Sequence, residues 1–72
     1  MKKEIKENKI EIYLGYRVLW WNTMLKGDFE SEACYRYEMT RLINDMNTDE
    51  VLETIHHTDI LDKAYRSYDR QR

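Results

Sequence analysis

The 72-residue chain has no proline, two glycines and a single cysteine. Without proline, no helix here is stopped by a missing N–H or a clashing ring, so breaks must come from caps and from glycine. Cys34 has no partner for an internal disulfide, which excludes a disulfide-stapled scaffold and any CxxC metal or redox site. Its lone state also fits a reducing compartment. No stretch reaches the ~18 uninterrupted apolar residues of a membrane span. The N-terminal MKKEIKENKIEI interleaves its lysines with Glu4, Glu7 and Glu11 and lacks the apolar core of a secretory leader, so a cytoplasmic location is expected. There is no Gly-rich phosphate loop and no nucleophile elbow around a serine.

Small size sets the next bound. A domain this short buries only ~60% of its unfolded surface, and its core contributes roughly 3–5 kcal/mol net. Small proteins add disulfides, a metal or oligomerisation. With disulfides excluded and metal poorly supported, a homodimer is the expected device. The composition, 42% hydrophobic and 36% charged, is that of one folded domain spanning 1–72, with residues 1–7 frayed.

Charge is unevenly placed. Net charge is −2, but residues 1–27 carry +3, residues 28–62 carry −8 and residues 63–72 carry +3. The acidic middle can neutralise the basic ends, within the fold or between subunits, or it can face a basic partner. A phosphate-mimicking surface would need far more negative charge than this.

The densest apolar stretch is IEIYLGYRVLWWNTML, residues 10–25. Ile10, Leu14, Val18, Trp21 and Leu25 recur at helical spacing and read as a core stripe. Tyr13, Tyr16, Trp20 and Met24 form a second stripe beside it. Neighbouring residues on a helix point about 100° apart, so Trp20 and Trp21 cannot share the centre of one face. Ile10, Ile12, Leu14, Tyr16 and Val18 also alternate with period two, as a strand would, and Gly15 weakens a helix by roughly 1 kcal/mol. No second strand is available to pair with it, which favours the helix.

Local signals bound the elements. Asn8 and Glu11 fit a capping box for a helix over 9–26, and Gly27 stands where a left-handed C-cap wants glycine. Asp28 suits the next N-cap, with Ser31 as a rival, for a helix over 29–46 buried along Tyr35, Met39, Leu42, Ile43 and Met46. Phe29, Ala33 and Tyr37 widen that face, and Cys34 reads as a small buried residue at a helix crossing. Asn47 and Glu50 form a second capping box, with Met46 able to staple onto Val51. The following apolar row, Val51, Leu52 and Ile55, loses phase after His57. Thr58 can cap a last helix that buries Ile60, Leu61, Ala64, Tyr65 and Tyr68, or residues 48–70 form one bent helix.

Chemistry-bearing residues are few. Glu53 to His56 has the Glu-x-x-His spacing of two-metal helical bundles, and a symmetric dimer would supply two such motifs, yet two ordinary histidines on a solvated helix face explain it as well. Cys34 has no base beside it in sequence. Arg66, Arg70 and Arg72 interleave with Tyr65 and Tyr68, and Arg36 and Arg41 sit near Tyr35 and Tyr37, a pairing that can stack on bases and hold phosphates. A sequence pI near 5.6 speaks against a nucleic-acid module.

The expected fold is therefore all-α: a three- to four-helix small bundle built on an antiparallel helical hairpin. The expected function is that of a small non-enzymatic protein–protein interaction module, a regulator or inhibitor, without cofactor. Tyr13, Tyr16, Trp20 and Met24 are the candidate partner-binding residues, because they exceed what so short a chain can cover. A nucleic-acid-binding regulator and a metal-binding helical dimer are the alternatives.

Overall fold

The computed structural model describes residues 8–71, so the expected fraying of residues 1–7 lies outside that range. Among the described residues there are three helices and no strand: α1 (Lys9–Lys26), α2 (Phe29–Asn44) and α3 (Thr48–Gln71). The period-two pattern over Ile10–Val18 thus resolves as helix.

The caps act as their sequences indicate. Asn8 Oδ1 accepts from the N–H groups of Ile10 and Glu11 at 3.0 and 3.4 Å. Gly27 closes α1 at φ 77°. Its N–H donates to Met24 O at 3.2 Å and that of Asp28 to Thr23 O at 2.9 Å, the paired bonds of a Schellman end. Asp28, not Ser31, caps α2, its side chain accepting from the Ser31 N–H at 3.2 Å. At α3 the capping box is complete: Asn47 Oδ1 accepts from the Glu50 N–H at 2.9 Å, and Glu50 Oε1 from the Asn47 N–H at 3.0 Å. The Met46 sulfur lies 3.3 Å from the Thr54 hydroxyl oxygen, one turn beyond the expected Val51.

Three expectations are corrected. Helix α2 ends at Asn44, two residues early, because the Asp45 and Met46 N–H groups tighten onto Leu42 and Ile43 carbonyls at 3.1 and 3.2 Å. Cys34 is exposed, not buried, since the covered face of α2 is the Tyr35, Met39, Leu42 and Ile43 row and Cys34 points about 100° away from Tyr35. Phe29, Ala33 and Tyr37 are likewise left outside. Finally, α3 runs through Thr58 without a break, which removes the four-helix alternative. The phase was never lost. The covered row is Val51, Thr54, Thr58, Leu61, Asp62 and Tyr65, helical throughout, but half of it is polar.

Helix α1 is the hub. Its contacts to α2 run in opposite chain directions (Tyr16 to Tyr35, then Trp20 to Glu32), so α1 and α2 form the antiparallel hairpin. Its contacts to α3 rise together (Arg17 to Asp62, then Trp21 to Tyr65), so α3 runs parallel to α1. Helices α2 and α3 scarcely touch one another. The radius of gyration, 13.9 Å, exceeds the about 11 Å of a closed domain of this length. Among the described residues the buried apolar side chains are only Ile10, Tyr13 and Met39.

The two glycines make opposite predictions. A methyl group at Gly15 meets nothing within 4 Å, so Gly15→Ala should stabilise the chain by about 1 kcal/mol through helix propensity. Gly27 is equally uncrowded, but its φ of 77° strains any L side chain, so Gly27→Ala should destabilise by about 1 kcal/mol. Urea midpoints of the two variants moving in the same direction would contradict this assignment.

Candidate interaction surface

The two stripes of α1 serve two different helices. On one side Tyr13 is only 9% exposed. The Tyr16 ring lies 6.0 Å from Tyr35 of α2, and the Trp20 indole N–H donates to Glu32 Oε2 at 2.7 Å. On the other side the Trp21 indole N–H donates to Asp62 Oδ1 at 2.7 Å, while its ring stacks on Tyr65 at 5.5 Å and 2°. The adjacent tryptophans meet edge to face at 5.2 Å.

The reading of Tyr13, Tyr16, Trp20 and Met24 as uncovered surplus is thereby corrected. Tyr13 is core, Tyr16 and Trp20 are half-buried against α2, and Met24 alone is open, at 42%. The coverage comes from α2, which supplies an aromatic ring and a carboxylate at matching heights. In the other stripe, Ile10 is buried and Leu14, Val18, Trp21 and Leu25 are half-buried.

Asp62 is the residue that sequence reasoning missed. It is 6% exposed and joins α3 to α1. Arg17 Nε donates to Oδ1 at 3.0 Å and Arg17 Nη2 to Oδ2 at 2.6 Å, beside the Trp21 bond. Burial pushes the Asp62 pKa up, but the Arg17 guanidinium and the Trp21 N–H outweigh it and hold the carboxyl below its usual range. Arg17 loses solvent too, and Asp62 with Tyr13 still raises its pKa. The guanidinium also lies 4.6 Å over the Trp20 ring. Both carboxylate oxygens are engaged, so Asp62 is a lock between helices and not a free acid or base. The available signal was that Asp62 shares a helical row with Thr54, Thr58 and Leu61.

The open surface lies elsewhere. Because α2 and α3 diverge, a trough runs between them, made of two hollows of about 510 and 250 Å³ that share Tyr13 and Ile43. Tyr13 and Arg17 are its floor, Arg36, Met39 and Ile43 one wall, and Leu52, Ile55 and Asp59 the other. Leu52 and Ile55 are 61% and 56% exposed. Thr58 Oγ1, buried on the same side, makes no hydrogen bond.

The remaining candidates are distributed singly. His57 and Glu53 approach to 3.7 Å on an exposed helix face. Among the described residues no three metal-ligating side chains converge. Arg36 pairs with Glu32 and Arg41 with Glu38, each at 3.2 Å, so the α2 arginines have carboxylate partners on their own helix. Arg66 and Arg70 are exposed on α3, and Arg72 lies outside the described residues. Among the described residues no helix is long and apolar enough to cross a membrane. No family model, curated protein or solved structure matches this chain.

Proposed function

We propose that the chain is a small protein-interaction module without chemistry of its own, acting as a regulator by occupancy, and that its trough takes an amphipathic helix from a partner protein. One observation carries the reading: α2 and α3 both pack on α1 and scarcely on each other, which leaves one side of the bundle open. A helix laid there would cover Ile43, Leu52 and Ile55 and complete a four-helix arrangement, the helix-in-groove mode of recognition. Arg36 and Asp59 on the trough's two edges are already paired on their own helices, with Glu32 at 3.2 Å and Lys63 at 3.9 Å, so apolar contact carries the recognition.

Selection of displayed helical peptides tests this. Peptides retained by the wild type should carry apolar residues at i, i+3 or i+4, and i+7, and should bind Ile55→Glu at least about tenfold more weakly, since a carboxylate would then be desolvated in the trough. Ile55 is exposed, so circular dichroism of the variant should be unchanged. Retained peptides that bind both proteins equally, or no retained helical peptide at all, would sink the proposal.

A further inference from the structure

We infer that α3 carries a second interaction surface, on which another copy of this chain packs antiparallel with Ile60 on the two-fold axis. Ile60 is 57% exposed and points about 200° from Asp62, hence away from α1. It is the middle of a row at four-residue spacing, Leu52, His56, Ile60, Ala64 and Tyr68, every member of which is exposed. Rows of this kind are the ridges of the commonest helix-packing class, which crosses at about 50°.

The row suits its own copy. A two-fold axis through Ile60 sets Ile60 on Ile60, His56 of one copy against the small Ala64 of the other, and Leu52 against Tyr68. An interface of this type must be self-complementary in this way. Charge then fixes the direction. Before Ile60, α3 carries Asp49, Glu50, Glu53 and Asp59 and no Lys or Arg, whereas after it, apart from the inward Asp62, come Lys63, Arg66 and Arg70 with Asp69. Antiparallel pairing lays the acidic half of one α3 along the basic half of the other, with Glu53 nearest Arg66. Parallel pairing would put acid on acid and base on base. The surface shares Leu52 and His56 with the rim of the trough, but its centre lies outside, so the inference stands independently of the proposed function.

Light scattering over a dilution series decides it. The wild type should approach twice the 8.9 kDa chain mass at high concentration and fall towards 8.9 kDa on dilution. Ile60→Glu should raise the dissociation constant at least about tenfold, with Ile60→Ser as a milder companion should the first variant lose helicity. Glu53→Lys should weaken the dimer, and adding Arg66→Glu should restore it. Ile55→Glu should leave the mass unchanged, which separates this surface from the trough. A wild type that stays monomeric, or a dimer indifferent to both Ile60 variants, would overturn the inference. A Glu53→Lys variant that dimerises as tightly as the wild type would overturn the antiparallel pairing.

Discussion

Replacing Asp62 by alanine is expected to cost about 3 kcal/mol, which is most of the stability a chain of this size has. The cost arises from what is left behind. Arg17 would keep its position between α1 and α3 with its guanidinium largely withdrawn from water and its carboxylate gone, and Trp21 would lose its acceptor. Little helical signal should survive at 25 °C, and urea unfolding of the residual population will show it. Asp62→Asn should cost less, because the amide oxygen can still accept one of the bonds. The same lock makes stability depend on acid. The folded state holds the Asp62 carboxyl below its usual range, so the unfolded chain takes up the proton first. The contribution is therefore complete above the ordinary aspartate pKa of about 4 and is lost as pH falls through the lowered folded value. In Asp62→Asn that part of the acid limb should vanish. An Asp62→Asn variant with the wild-type acid limb would place the titrating group elsewhere.

Trp21→Ala should be of similar size, about 3 kcal/mol or more, since it removes a large half-buried ring, its stack on Tyr65 and a donor to Asp62 at once. Trp21→Phe separates these parts. It retains a ring over Tyr65 but no N–H, and should lose about 1.5–3 kcal/mol, the worth of a hydrogen bond to a charged group. The two sites act in one network, so the loss in a Trp21→Phe, Asp62→Asn double variant should fall short of the sum of the single losses. Additive losses, measured by urea unfolding, would mean that the carboxylate charge adds nothing to the 2.7 Å contact.

What could be read from the sequence was what is local. Asn8, Gly27, Asp28 and the Asn47–Glu50 box act on backbone groups within about one turn, so residue identity and spacing suffice to place them. The stripes of α1 were legible for the same reason. Their assignment was not, because it depends on which residues α2 and α3 bring up: Glu32 for Trp20 and Asp62 for Trp21, the latter 41 residues away. Helix α3 misled most. Its inward row holds Thr54, Thr58 and Asp62, while Leu52, Ile55 and Ile60 face out, so apolar periodicity alone locates its wrong side. Thr54 satisfies itself on the Glu50 carbonyl at 2.7 Å, a bond that lets a hydroxyl sit in a core. The trough was invisible for a related reason, since it is created by two helices failing to meet.

Helix α1 is covered on both aromatic faces by its own chain, and the open apolar surfaces are the trough and the outer face of α3. The two indole N–H protons report on this directly, because each faces a different helix and each donates to a carboxylate at 2.7 Å. Hydrogen exchange followed by NMR should find both slowed at least about tenfold relative to free indole, and in Asp62→Asn the Trp21 signal should move by more than that of Trp20. A Trp20 proton exchanging at the free rate beside a protected Trp21 would mean that α2 does not cover that face, and would return Trp20 to the partner-binding surface.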